Sequence, residues 1–289
     1  MLTDPGRTHF DAEISGLDAL DLAEAPRIGL GRRIWATTWP KLLAIAIALL
    51  IWQLVFWSGW KPDYVLPSPS SVFGRLFSEW SKAMEGAGTT LRRAGVGFTI
   101  AVVIGSVVGA LVSRSKVLRS GIGSMITGLQ TMPSVAWFPA AIALFKLGEG
   151  AILFVVILGA APAVANGLIA GVDQIPPLLV RAGHVLGARR TKLFRFVIAP
   201  AAVPAYVTGL KQGWAFAWRS LMAGELIVLI AGKTSLGQQL QANKDLNDMV
   251  GLYATMVVIF VIGVLVDSVV FGNLERFVRH RYGLDDSGD

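Results

Sequence analysis

Apolar stretches recur along this chain at lengths that call for a bilayer rather than the interior of a soluble domain. They fall at 42–57, about 94–113, 120–145, 151–171, 203–230 and 250–272. The hydrocarbon layer of a membrane is about 30 Å thick and takes roughly 20 helical residues to cross. The pattern therefore predicts an all-α, polytopic membrane protein with about six transmembrane helices. Composition agrees: 54% of residues are hydrophobic and only 16% charged, with a mean hydropathy of +0.60, whereas soluble domains are about 25% charged. The absence of cysteine excludes disulfides, haem thiolates and zinc–thiolate sites. The net charge of +7 is read as basic loops on one side of the membrane and not as a nucleic-acid surface.

Charge and proline divide the chain further. Residues 1–40 begin acidic (Asp4, Asp11, Glu13, Asp18, Asp21, Glu24) and turn basic (Arg27, Arg32, Arg33), as expected of a tail. A first anchor at 41–60 ends in tryptophans; it starts too late for a removable signal peptide and has no small-residue cleavage site. Residues 61–88 are broken by Pro62, Pro67 and Pro69, then show an amphipathic pattern (Val72, Phe73, Leu76, Phe77, Trp80) suited to a helix lying at the interface. The core is expected at 89–275, with Gly105 and Gly109 forming a small-residue face for close helix packing, and a tail at 276–289. Placing both termini in the cytoplasm puts sixteen Lys and Arg on that side and eight on the other, the orientation favoured by the positive-inside bias. Segment 174–202 is then a cytoplasmic loop.

That loop contains RAGHVLGARRTKLFRFVIAPAAVP, with five Lys or Arg and no acidic residue. A short helix fits 178–188, Gly187 permits a tight turn, and Pro200 and Pro204 restrict where the next span can begin. Two readings fit these residues equally: a segment that docks onto another protein, or a basic loop that sets topology and touches anionic lipid.

Polar residues inside apolar spans are expensive and mark functional candidates. In the fifth span Lys211, Trp214, Trp218 and Glu225 share one helical face, with Arg219 about 100° away. A guanidinium matches the planar oxygen edge of a sulfonate, nitrate or carboxylate, so Arg219, Glu225, Trp214 and Trp218 are candidates for a translocation path. The alternatives are an Arg219–Glu225 ion pair, a snorkelling Arg219, and packing tryptophans. In TMPSVAWFP, Pro133 and Pro139 flank Trp137 within a span. Irregular backbone at membrane depth is tolerated where it is buried in protein or lines a cavity, which adds Gln130, Pro133 and Trp137 to the path, with a packing kink as the alternative. No catalytic or metal-binding residues are expected. AGKTSLG at 231–237 has Ile227 where a phosphate loop needs glycine, no HExxH is present, and His9, His184 and His280 are scattered.

RAGHVLGARRTKLFRFVIAP resembles the cytoplasmic coupling motif of bacterial ABC-importer permeases. Arg181, Ala182 and Gly183 stand at its Glu-Ala-Ala triplet, Gly187 at its central glycine, and Val197, Ala199 and Pro200 at its apolar-x-Leu-Pro ending. Arg181 replaces the usual glutamate and Ala199 the usual leucine. LPSPSSVFGRL, TMPSVAWFPAAIALFKLGEG and GLKQGWAFAWRSLMAGELI are similar to permeases for aliphatic sulfonates, taurine, nitrate or bicarbonate, and the likeness spans 62–284. It implies a type I importer fold in the bacterial inner membrane and a second copy of the permease. It also implies two ABC ATPase subunits that bind ATP and Mg, an extracytoplasmic substrate-binding protein, and no cofactor on this chain. The expected cargo is a small oxyanion, with an aliphatic sulfonate first and nitrate, taurine, bicarbonate or a thiamine-precursor pyrimidine as alternatives. The reading from another class is a membrane scaffold or receptor that transports nothing.

Overall fold

The computed structural model describes residues 30–283, so most of the expected 1–40 tail and the end of the 276–289 tail lie outside the described residues. The chain divides into two units, 1–60 and 61–289. In the first, α1 (Leu30–Trp57) carries a candidate membrane span from Thr38 to Trp57 in which no residue is buried. A helix apolar on all sides is suited to lipid. Trp39 and Trp57 stand about 27 Å apart along the axis at 1.5 Å per residue, the separation of two aromatic belts.

The regular secondary structure of the second unit is also all helical among the described residues. It comprises α2 (Pro69–Ser78), α3 (Trp80–Arg114), α4 (Lys116–Thr131), α5 (Phe138–Phe145), α6 (Glu149–Asp173), α7 (Pro177–Val185), α8 (Thr191–Ile227), α9 (Leu236–Asp245) and α10 (Met249–Arg281). With α1, the helices α3, α6, α8 and α10 are long and apolar enough to cross a membrane, which gives five among the described residues. The expected span at 120–145 is not a single helix. Met132, preceding Pro133, is extended (φ −75°, ψ 130°), which ends α4, and a 3-10 turn at Ser134–Trp137 leads into α5. The steric demand of a proline ring on the residue before it accounts for the break.

The expected boundary at 88/89 also shifts, because it falls inside α3. Nothing between Trp80 and Thr99 breaks a helix. Gly86, which could have done so, packs against the Gln239 side chain instead. The amphipathic α2 is capped by Ser68, whose Oγ accepts from the Ser71 N–H, and it buries Val72. Arg75 ties it to Asp248 at the start of α10 (3.0 Å).

α6 is the centre of this unit, flanked by α3 and α8. Its Ile152, Val155, Val156, Ala160, Ala163 and Val164 are fully buried. Lipid supplies no hydrophobic drive between helices, so close van der Waals contact must, and small residues allow it. On α3 a stripe of Gly97, Gly105 and Gly109 faces α6; a Cβ on Gly105 would come within 2.5 Å of the Ala161 carbonyl oxygen. On the other side α6 and α8 touch backbone to backbone, since a Cβ on Gly167 would lie 2.5 Å from the Gly209 Cα. The outward faces of α3 and α10 expose Val103, Val107, Leu111, Phe260, Val264 and Val269, as membrane-facing surfaces do.

Gly167→Leu is expected to force α6 from α8. Overpacking typically costs about 1–3 kcal/mol, and more where backbone must move. Thermal unfolding in detergent should show a lower melting temperature than for Gly128→Leu, where a Cβ meets nothing.

Candidate functional site

The break between α4 and α5 forms one wall of a cavity of about 250 Å³, and α6 and α8 form the rest. Pro133 contributes no N–H, and its carbonyl accepts from Ala136 (3.0 Å) to start the 3-10 turn. This backbone presents Gln130, Pro133, Ser134 and Trp137 to Gly159 of α6 and to Phe216, Arg219 and Ser220 of α8. Of the residues expected along a path, the structure thus brings together Gln130, Pro133, Trp137 and Arg219. Arg219 is exposed; its Nε donates to the Ala215 carbonyl (3.1 Å) and its guanidinium lies 4.8 Å from the Phe216 ring centroid. It makes no ion pair among the described residues. No acidic side chain lines the cavity, so Arg219 sets its charge.

The other candidates lie elsewhere. Trp214 is a core residue, edge-on to Phe98 (5.4 Å, 88°) and 6.1 Å from the stacked Trp218. Trp218 lines a separate, apolar cleft with Met222, Met256 and Phe260. Glu225 is 0% exposed and faces neither Arg219 nor a cavity. Its carboxylate accepts from Arg93 Nη1 (2.9 Å), Thr90 Oγ1 (2.9 Å) and the Gly237 N–H (3.1 Å). Arg93 continues toward Glu149 (3.5 Å), which also pairs with Lys233 (2.8 Å). The expected alternative of an Arg219–Glu225 pair is therefore replaced by a network joining α3, α6, α8 and the turn before α9. Of the AGKTSLG segment, residues 231–235 form part of that turn, with Gly232 at φ 74°, and Leu236 and Gly237 open α9.

At the opposite end of α6 and α8, segment 174–202 folds into α7, a turn and the start of α8. The turn is a Schellman motif: the Gly187 N–H donates to the His184 carbonyl (3.0 Å) and the Ala188 N–H to that of Gly183 (2.9 Å). Gly187 has φ 79° and nothing within 4 Å of a built Cβ, so its need for glycine is torsional. Gly183 is buried for the opposite reason, since a Cβ there would meet Leu193 at 2.8 Å and Val197 at 3.0 Å. Arg181 and Ala182 are exposed, while Val197 and Pro200 are half-buried in the α8 start, where Phe194–Ile198 forms a π-helical turn. Val185 and Leu186 at the tip are among the most exposed apolar side chains in the chain.

Residues 101–280 match the family of binding-protein-dependent transport system inner membrane components. The chain belongs to that family. Relatives of this permease include the riboflavin transport system permease protein RibX of Chloroflexus aurantiacus, 30% identical over 88% of this chain and 94% of the relative. The nitrate import permease protein NrtB of Synechocystis sp. is 29% identical over 65% and 73%, and the taurine transport system permease protein TauC of Escherichia coli 28% over 65% and 71%. A solved structure of the MetNI methionine ABC transporter in inward-facing conformations aligns with a TM-score of 0.59 at 20% identity, covering 70% of this chain and 98% of that one. The fold is therefore that of a type I importer permease. The chain is a multi-pass inner-membrane permease subunit of an ABC importer, a family that works with a substrate-binding protein and with partner subunits that hydrolyse ATP.

Arg93, Thr90 and Asn166 were not among the residues expected from sequence. The apolar run begins at about residue 94, just past Arg93, whereas the helix that carries Arg93 begins at Trp80. Asn166, which donates to Gln130 (2.9 Å), was legible as a polar residue within an apolar run.

Breaking a buried ion pair by removing one partner costs about 3–5 kcal/mol, because a charge is left unpaired. Arg93→Leu should accordingly lower the melting temperature of the permease sharply in detergent. Adding Glu225→Leu should recover much of the loss, and equal melting of the single and double variants would show that the pair does not hold this end of the permease.

Proposed function

We propose that two copies of this permease form a path for a small oxyanion, first an aliphatic sulfonate, delivered by an extracytoplasmic binding protein. Two ATPase subunits, which carry the ATP and Mg, dock on the exposed α7 segment and drive the transport. Both termini are cytoplasmic in this reading, with tails at 1–40 and 276–289 and the α7 loop on the same side. The chain itself binds no cofactor. The single observation that carries the cargo class is the lone guanidinium of Arg219 in a cavity with no acidic lining. The names of the nitrate and taurine relatives support the same class.

Reconstitution with the ATPase and the binding protein tests the cargo directly. ATP turnover should be stimulated by a small oxyanion, an alkanesulfonate first or else taurine, nitrate or bicarbonate, and not by a thiamine-precursor pyrimidine or riboflavin. A charge-assisted hydrogen bond contributes about 1.5–3 kcal/mol, and about 1.4 kcal/mol is tenfold. Arg219→Gln should therefore slow uptake roughly ten- to a hundredfold; wild-type uptake would remove Arg219 from the path.

Gly187→Leu tests the docking segment. It places a β-carbon in left-handed backbone without any internal clash, so membrane insertion should persist while ATPase association and uptake fall. Gly187→Asn, which tolerates that backbone, should retain more of both.

A further inference from the structure

We infer that Gln212 and Thr208 line the same path as Arg219, and that this stripe of α8 faces a water-filled route closed by the second copy. The inference rests on the reading that two copies enclose the path with Arg219 in its wall. Between Val197 and Leu226, α8 exposes Thr208, Gln212 and Arg219 and no other residue. At about 100° and 1.5 Å per residue, the three fall within about 40° of one another around the helix. Along the axis, Gln212 lies about 10 Å and Thr208 about 16 Å from Arg219.

The other membrane helices of this unit present the opposite chemistry. Exposed positions of α3 between Val96 and Leu111, and of α10 between Met256 and Val270, are apolar except for Thr99 and Ser268. Those two hydroxyls donate to carbonyls four residues back, of Gly95 and Val264, which satisfies a hydroxyl within its own helix. α6 exposes nothing from Ala151 to Val172. Thr208 also donates to a carbonyl of its own helix, that of Pro204 (3.3 Å), but the Gln212 side-chain amide makes no hydrogen bond among the described residues. An unpaired amide and a guanidinium on one face are costly in hydrocarbon, so this face meets protein or water and not lipid.

The space in front of the stripe favours water over a dry contact between copies. Thr208 and Gln212 line a cavity of about 600 Å³ toward the α7 end, together with Asn166, Gln174, Glu275 and Arg279. That volume far exceeds what one water needs, and the lining offers polar partners to hold several. Glu275 is balanced by Lys211 (3.6 Å), so the cavity is polar without a lone carboxylate to repel an anion. A solute leaving Arg219 toward α7 therefore passes an amide and a hydroxyl where α3 or α10 would offer only valine, leucine and phenylalanine.

The chain has no cysteine, so single-cysteine variants report water access with no background from the permease itself. Gln212→Cys, Thr208→Cys and the exposed apolar control Val103→Cys would each be assembled with the ATPase and the binding protein in proteoliposomes. Sulfonatoethyl methanethiosulfonate, a water-soluble anion that modifies thiols, is supplied on both sides of the membrane. The readouts are the labelling rate of the permease and the uptake of ethanesulfonate, taurine and nitrate in turn. Cysteine at 212 and at 208 should label at least tenfold faster than at 103, and labelling should lower uptake at least tenfold relative to the same variant unlabelled. Gln212→Leu, which needs no reagent, should lower uptake at least threefold in an assembled complex. Labelling no faster than at 103 overturns the inference, as does a disulfide between two Gln212→Cys copies with no labelling, which would mark a dry contact. Labelling that leaves uptake unchanged also overturns it, by placing the stripe on a wet surface outside the route. So does wild-type uptake by Gln212→Leu with a raised melting temperature, the result for a face turned to lipid. If Arg219→Gln is impaired in the same assay, the path reading survives any of these failures; if Arg219→Gln is wild type, the path reading falls first.

Discussion

Backbone contact between α6 and α8 at Gly167 and Gly209 is the constraint from which the rest of the permease follows. Two helices in lipid gain nothing from hiding apolar surface, so they must gain from contact area, and contact area grows as side chains shrink. The glycines and alanines of α6 accept α3 on one side and α8 on the other, which is why α6 is the most buried helix of its unit. Once α8 lies that close, Ser220 sits against Gly159 with no room for a β-carbon between them. Arg219, the next residue along, is then carried to the mouth of the cavity that the broken α4–α5 segment leaves open. The cavity is a product of packing on one side and of a proline-interrupted helix on the other.

The Glu225 network fixes the far end of the same helix pair. A carboxylate with no exposure is tolerable only if its oxygens are paired, and here one guanidinium, one hydroxyl and one backbone N–H pair them. Thr90 serves two groups at once, since its Oγ1 also accepts from the Leu236 N–H at 3.0 Å. The α9 start, which has no long apolar face of its own, is thereby held to α3 and α8 by polar contacts. Gln239 adds to this by donating to the Lys82 carbonyl (2.8 Å). A hydrophobic substitute for the pair could match its stability, but would leave the Gly237 N–H and the Thr90 hydroxyl without their acceptor.

Much of this was legible in the sequence, and the misses have physical causes. Apolar run length located five membrane helices but not the break within 120–145, and the small residues at Gly105 and Gly109 sit where they were expected to pack. The proline-flanked segment at 131–139 was readable as irregular because proline acts on its immediate neighbour. Glu225 was not readable, because its partner Arg93 lies 132 residues away and no local pattern links them. Its nearness to Arg219 in sequence was misleading. A spacing of six residues at about 100° each places the two roughly 120° apart around the helix. The face shared by Lys211, Trp214, Trp218 and Glu225 does exist, but it is largely the packed face: Trp214 meets Phe98 and Phe271, and Lys211 pairs with Asp267 and Glu275. Arg219, set apart from that face, is the member that lines the cavity beside the α4–α5 break.

The α7 segment is rigid and still exposed at its tip. Its turn is closed by backbone hydrogen bonds at Gly187, and its base is wedged where Gly183 meets Leu193 and Val197. The wedge leaves no slack between α7 and the start of α8, the helix that bears Arg219. At that junction α8 is not regular: Phe194–Ile198 is a π-helical turn, the kind of local widening that lets a helix change direction without losing its hydrogen bonds. A flexible basic loop would satisfy the topology of the membrane equally well, but it would need neither the left-handed glycine nor the wedge. These two glycines support the docking reading proposed above, on which the cations at Arg181, Arg189, Arg190, Lys192 and Arg195, with no acidic residue among them, favour an acidic receiving surface.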